Sequence, residues 1–185
     1  MADSLPTDSG IVIDGRYRLI APLGTGSGGQ VYLADDIRLR RQVAVRVLRR
    51  AYADNALFLE EFRSEIQKAS TLDHPNLVPV YDWGEKELPY VVTEYFSGGS
   101  LRDLLDASGG ISSSQALLIG IEVAKGLDYA HRRGVVHLAL KPANIMFDFE
   151  SNIRVADSGI AKTVAKFSIG ESKTFVDRNY LSPEQ

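Results

Sequence analysis

The run Gly24-Thr25-Gly26-Ser27-Gly28-Gly29 lies between two short β-prone stretches, Tyr17 to Leu23 and Gln30 to Asp35. Glycine at that density lets backbone N–H groups come close to a bound phosphate. The spacing Gly24-x-Gly26-x-x-Gly29 also occurs in dinucleotide folds, but there the glycines end a strand and open a helix. Here a second strand, Val31-Tyr32-Leu33-Ala34, follows at once. The run therefore reads as the tip of a β-hairpin flap, not as a Rossmann turn. The next stretch, Gln42 to Leu48, alternates cleanly, with Val43, Val45 and Val47 on one face and Ala44, Arg46 and Leu48 on the other. A strand arginine is often a solvent-facing edge residue. The apolar neighbours on its own face favour an inward Arg46.

From about Ala56 to Leu72 the period becomes helical, with Phe58, Phe62, Glu65, Ala69 and Leu72 on one stripe. A carboxylate inside an apolar stripe needs a partner, because burying an unpaired charge is costly. The other reading puts Glu65 at the edge of the stripe, solvated. A turn at Asp73-His74-Pro75-Asn76, strands at Leu77 to Tyr81 and Tyr90 to Thr93, and a hinge from Glu94 to Leu101 feeding a short helix come next. Ser114 to His131 is the strongest helical segment, with Ala116, Leu117, Gly120, Val123, Ala124 and Leu127 expected toward a core and His131 capping or packing at its end. A hairpin of Ile145 to Phe147 and Ile153 to Val155 completes the regular elements.

Composition limits the function classes. A chain of 185 residues suits one domain or two small lobes. A net charge of −3 without a sustained basic run argues against nucleic acid and against an anionic membrane; Arg38-Leu39-Arg40-Arg41 reads as a solvated hairpin tip. No cysteine is present, which excludes disulfides and thiolate metal sites and fits a reducing compartment. The N-terminus has no signal-peptide pattern. The richest apolar stretch, Ala116 to Ile121, is stopped by Glu122 and Lys125, short of a membrane span. The expectation is a soluble, cytoplasmic protein with a loose polar lead over residues 1–15.

The most specific pattern is His137-Leu138-Ala139-Leu140-Lys141-Pro142-Ala143-Asn144. His137, Leu140, Lys141, Pro142 and Asn144 keep the spacing of a protein-kinase catalytic loop, His-Arg-Asp-Leu-Lys-Pro-x-Asn. With Gly24-x-Gly26-x-x-Gly29-x-Val31, Val43-Ala44-x-Arg46, Asp157-Ser158-Gly159 and Ser182-Pro183-Glu184, the order resembles the bacterial eukaryotic-like Ser/Thr protein kinases over about residues 16–185. The resemblance implies an α+β, bilobal kinase-like fold. An antiparallel β N-lobe with helix C would span 16–96, and an incomplete helical C-lobe 97–185, ending at the activation segment. It further implies a nucleotide cleft, with Gly24, Gly26 and Gly29 over the phosphates, Val31 and Ala44 at the adenine, and Thr93 as gatekeeper. The backbone of Glu94 and Phe96 would meet the adenine edge. Arg46 would pair with Glu65, and Asn144 and Asp157 would be the magnesium ligands. ATP and Mg²⁺ are thus the implied cofactors.

The departures point the other way. Arg46 stands where the family has a phosphate-binding Lys, Ala139 where it has the Asp that accepts the substrate proton, and Ser158 where it has the Phe of the metal motif. Val176-Asp177 replaces a Gly-Thr pair before Tyr180, and the chain stops at Gln185, where large C-lobe helices follow in the family. No catalytic residue is intact, although Lys141 is retained. Losing a general base costs about 10²–10⁴-fold in rate, and a planar guanidinium is no substitute for a compact ammonium. The expected function is a pseudokinase with little or no phosphotransfer, acting as an interaction or regulatory module that retains an ATP/Mg site. The alternatives are a weakly active ATP-dependent protein Ser/Thr kinase and a truncated, non-functional fragment. With the 114–131 helix face and the Tyr180-Leu181 segment uncovered, the chain is expected either to self-associate or to need a protein partner to fold its C-terminal third, residues 16–105 being the more protected unit. Accessible hydroxyls at Thr163, Ser168, Ser172 and Thr174 would be open to phosphorylation by an active sibling kinase.

Overall fold

The computed structural model describes residues 10–26, 28–167 and 180. Strands β1 (Val12–Ile13), β2 (Tyr17–Gly26), β3 (Gly29–Asp36), β4 (Arg41–Leu48), β5 (Val80–Gly84) and β6 (Tyr90–Glu94) form one antiparallel sheet in the order β1-β2-β3-β4-β6-β5. The glycine run closes the β2–β3 hairpin, with Gly26 opposite Gly29 and Gly24 opposite Val31. Only glycine fits at Gly29, where a β-carbon would run into the Val47 carbonyl of β4. The alternation in β4 sorts its side chains as expected. Val43, Val45 and Val47 join Tyr17, Leu19, Tyr32 and Tyr90 in one apolar cluster, and Leu48 belongs to the cluster on the opposite face.

That opposite face is covered by α2 (Ala56–Ser70), preceded by the short α1 (Arg50–Ala53). The Asn55 side chain caps α2 by accepting from the Phe58 N–H at 3.0 Å, a cap worth about 1 kcal/mol. Phe58, Phe62, Ile66 and Ala69 bury the α2 stripe against Leu48 and Val91, with the Phe62 ring edge-on to Trp83.

Beyond β6 the chain becomes helical: α3 (Leu101–Ser108), α4 (Ser113–His131), a 3₁₀ turn at Pro142–Asn144, the hairpin β7 (Ile145–Phe147) and β8 (Ile153–Val155), and α5 (Ile160–Phe167). Capping boxes start α3 (Ser100 with Asp103) and α4 (Ser112 with Gln115). Their core gathers Leu77, Leu101, Ile119, Val123, Ala130, Val135, Ile145 and Val155. Among the described residues no helix is long and apolar enough to cross a membrane.

Several expectations are corrected. The lead is not loose through residue 15, because Val12–Ile13 pair with Arg18 and Tyr17 while Ile11 and Ile13 pack on the sheet core. Leu77 to Tyr81 is not one strand. Leu77 bridges Val155, and the Val78 N–H donates to the Val155 carbonyl, so this segment ties sheet to helices before pairing with β6 begins. In α4 the buried positions are Ile119, Val123, Gly126 and Ala130, whereas Ala116, Leu117, Gly120 and Ala124 are exposed. The helix is apolar around much of its girth, so period alone does not fix the buried face. The fixing contact is Gly126, where a β-carbon would sit 2.8 Å from the Asn76 carbonyl oxygen. The remaining apolar face, Leu117, Leu118 and Ile121, is open to solvent. Helix α5 is not foreseen in the sequence reading.

Candidate functional site

A cleft of about 400 Å³ separates the sheet from the helices. Gly24, Gly26, Val31, Ala44 and Arg46 line it from the sheet, Thr93, Glu94 and Phe96 from the connection after β6, and Lys141, Asn144, Met146 and Asp157 from below. Of the residues expected there, Gly29 and Glu65 do not line it. Gly29 is used in closing the hairpin. Gly98 lets the connection cross β7 closely, since a β-carbon there would sit 2.5 Å from the Phe147 carbonyl oxygen.

Arg46 points inward, placed on β4 between Val31 of β3 and Val91 of β6. Its side chain is 10% exposed, and Nη2 lies 2.5 Å from both carboxylate oxygens of Asp157, itself 9% exposed. Nη1 is buried without a hydrogen-bond partner among the described residues. It sits against Gly26, where a β-carbon would collide with it. The expected Arg46–Glu65 pair is therefore replaced by Arg46–Asp157.

Glu65 is buried, as its place in the stripe requires, but its partners are Lys68 at 2.8 Å and Lys162 at 3.0 Å. Burial pushes this carboxyl up, and the hydrogen bonds from Lys68 and Lys162 outweigh it and hold the group below the usual range. Lys162 comes from α5, which lies along α2 and adds an ion pair between Lys166 and Glu61. Ile160 and Val164 fill the apolar ground beneath α2, so the aromatic missing at Ser158 is made good two residues on. Gly159, at φ +87°, permits this close approach to Ala69 and the Glu65 carbonyl. The signal for α5 was present in the sequence: Ile160, Val164 and Phe167 share one face, and Lys162 and Lys166 are one turn apart.

Thr163 is fully buried on α5 and is not an accessible hydroxyl. Ser168, Ser172 and Thr174 lie outside the described residues.

The loop after α4 keeps its scaffold without a carboxylate. His137 is buried, its Nε2 lies 2.6 Å from the Ala156 carbonyl oxygen, and its Nδ1 accepts from the Ala139 N–H at 3.2 Å. These neighbours call for the neutral ring with its proton on Nε2, and burial, as the largest influence, pushes the imidazole below its ordinary value. Leu138 takes a left-handed backbone, φ 56°, which turns the chain so that Ala139 follows the ring. Asn144 Nδ2 donates to the Ala139 carbonyl at 2.9 Å, and the Ala156 N–H donates to the Asn144 carbonyl at 2.9 Å. The Lys141 side chain lines the cleft and makes no hydrogen bond or ion pair to any described residue, while its carbonyl accepts from the Asn144 N–H at 2.9 Å.

Magnesium does not fit these groups as they are arranged. The ion wants near-octahedral oxygen donors at about 2.0–2.1 Å, but both Asp157 oxygens face the Arg46 cation, which leaves the Asn144 amide oxygen, freed by the Nδ2 bond to Ala139, as a lone donor beside a neutralised carboxylate. Among the described residues no group of three or more His, Asp or Glu side chains gathers to hold a metal.

The family model described as protein kinase domain matches residues 17–185. The chain is 41% identical over 175 residues to the serine/threonine-protein kinase PrkC of Bacillus subtilis, covering 94% of this chain and 27% of that protein. It is 42% identical over 177 residues to the serine/threonine-protein kinase PknB of Mycobacterium leprae, with 92% and 28% covered. The chain thus spans little more than a quarter of the length of these curated relatives. A crystal structure of the Mycobacterium tuberculosis PknI kinase domain superposes with a TM-score of 0.72 at 31% identity, covering 84% of this chain and 64% of that one.

Proposed function

This chain belongs to the protein kinase domain family, among the bacterial eukaryotic-like Ser/Thr kinases, and from that premise we propose that it works as a pseudokinase, an interaction or regulatory module with little or no phosphotransfer. The observation that carries the reading is the loop after α4, where Ala139 sits on an intact scaffold of His137 and Asn144. A methyl group can neither accept the proton of a substrate hydroxyl nor orient it. Arg46 supports the same reading, because a planar guanidinium engaged by Asp157 stands where phosphate binding calls for a compact, free cation.

On this proposal Gly24, Gly26, Val31, Ala44, Glu94 and Phe96 would surround the base of a nucleotide, and the module would signal by which protein it binds. The Leu117, Leu118 and Ile121 face supports a protein partner. A sibling kinase would act on Ser168, Ser172 or Thr174 and not on buried Thr163.

A second reading, a slow Ser/Thr kinase, is favoured by the likeness, at about 40% identity, to the serine/threonine-protein kinases PrkC and PknB. Radiolabelled ATP decides between the two. The pseudokinase reading expects no label on the chain or on a generic acceptor protein. Robust labelling that Asp157→Asn abolishes would establish the kinase reading.

A further inference from the structure

The cleft carries its own cation. Arg46 Nη2 bridges both oxygens of Asp157, both side chains are about nine-tenths buried, and Nη1 is a buried donor with no partner among the described residues. We propose that the Arg46 guanidinium takes the place of a divalent metal at Asp157, making the cleft a metal-independent site for an uncharged, nucleoside-sized planar heterocycle. This rests on the reading of the cleft as a nucleotide-type site and narrows what that site accepts.

Three observations carry it. First, a divalent ion at Asp157 would have to displace a guanidinium 2.5 Å away, because two cations cannot share one carboxylate inside a low-dielectric cleft without strong repulsion. Second, the space under the glycine run is filled. The guanidinium occupies the position a β-carbon on Gly26 would take, and on the neighbouring turn Val164 of α5 and Tyr52 press against Gly28, which adopts φ +70°. A polyphosphate would have to lift the hairpin off both contacts. Third, little free positive charge remains to meet a triphosphate. Arg102 is engaged by Asp106, Arg46 by Asp157, and Lys141 alone stands free among the described cleft cations. The buried free donor Arg46 Nη1 suits a neutral acceptor such as a ribose oxygen. The rest of the cleft keeps apolar walls, including Val31, Ala44, Leu72 and Val91, in a volume of about 400 Å³, within the range of small-ligand sites.

The test is calorimetric titration of the purified chain with adenosine and with ATP, each in Mg²⁺ and in EDTA. Adenosine is expected to bind with affinities within about threefold of each other in the two buffers, and ATP no tighter than adenosine. Arg46→Gln, which shortens the side chain, keeps it polar and removes the charge, is expected to tighten Mg²⁺-ATP by about tenfold and to create Mn²⁺ binding visible by electron paramagnetic resonance where the parent shows none. If circular dichroism shows that variant unfolded, Asp157→Asn serves instead, and adenosine affinity should be equal in Mg²⁺ and EDTA. Mg²⁺-ATP binding tighter than adenosine and lost in EDTA would overturn the proposal. So would Mn²⁺ binding by the parent, an Asp157→Asn loss confined to Mg²⁺, or the absence of saturable adenosine binding. No phosphotransfer is read, so this result and the labelling result stand or fall separately.

Discussion

Replacing Arg46 by Met tests whether the buried pair holds the two halves of the cleft together. The substitution keeps an unbranched stem, removes the guanidinium and leaves Asp157, 9% exposed, without its counter-cation. Breaking a buried pair by removing one partner costs about 3–5 kcal/mol. Arg46 Nη1 is already a buried donor without a partner, and its removal returns roughly 1 kcal/mol, so the expected loss is about 2–4 kcal/mol. For a domain of this size each kcal/mol moves Tm by roughly 2–4 °C, which gives a drop of about 5–15 °C. Asp157→Leu should cost a similar amount by stranding the guanidinium. The double variant Arg46→Met with Asp157→Leu should return to within about 1 kcal/mol of the parent, because apolar replacement of a buried pair is often neutral. Urea denaturation at pH 7 measures all four corners of the cycle. Strict additivity, with the double variant as unstable as the sum of the singles, would refute the reasoning and mean that the pair contributes no coupling.

Three further outcomes follow from the same geometry. The depressed His137 imidazole contributes stability that is full above its unfolded value of about 6.5 and is lost as pH falls toward the lower folded value; the urea midpoint should therefore fall as the pH is lowered below about 6.5, and His137→Asn should flatten that slope. Gly126→Ala forces a methyl to within 2.8 Å of the Asn76 carbonyl and should cost about 1–3 kcal/mol, read as a shift in denaturation midpoint with unchanged m. Lys162→Met removes the α5 partner of Glu65, and hydrogen exchange should quicken in residues 160–167 while β2 to β4 stay protected; uniform acceleration across the sheet would show that α5 is not a separable unit.

Where one face of an element is buried and the other is not, the sequence was legible. The β4 alternation, the glycine hairpin and the α2 stripe all follow from period alone, because a slip of one residue would put valine or phenylalanine into water. Where the chain is apolar all round, as in α4, period loses its power and the buried face is set by a close backbone contact at Gly126 that has no pattern in the sequence. The site divides in the same way. Arg46 and Asp157 line the cleft, where their fixed spacings within specific motifs put them. The partner of Arg46 was misassigned because an ion pair is chosen in three dimensions. Glu65 had two suitors, and α5 brings Lys162 to it while Asp157 turns to Arg46.

The tie between Glu65 and Lys162 also sets a timetable. The two residues are 97 positions apart, and at roughly 5–20 residues per second of synthesis the lysine emerges about 5–20 s after the glutamate. Through that interval α2 has only Lys68 to meet its buried carboxylate, and the places later taken by Ile160 and Val164 beside Phe58, Phe62 and Ile66 stand open. The nascent sheet is thus a half-closed species on the ribosome, with its most aromatic surface exposed until residues 160–164 have been made.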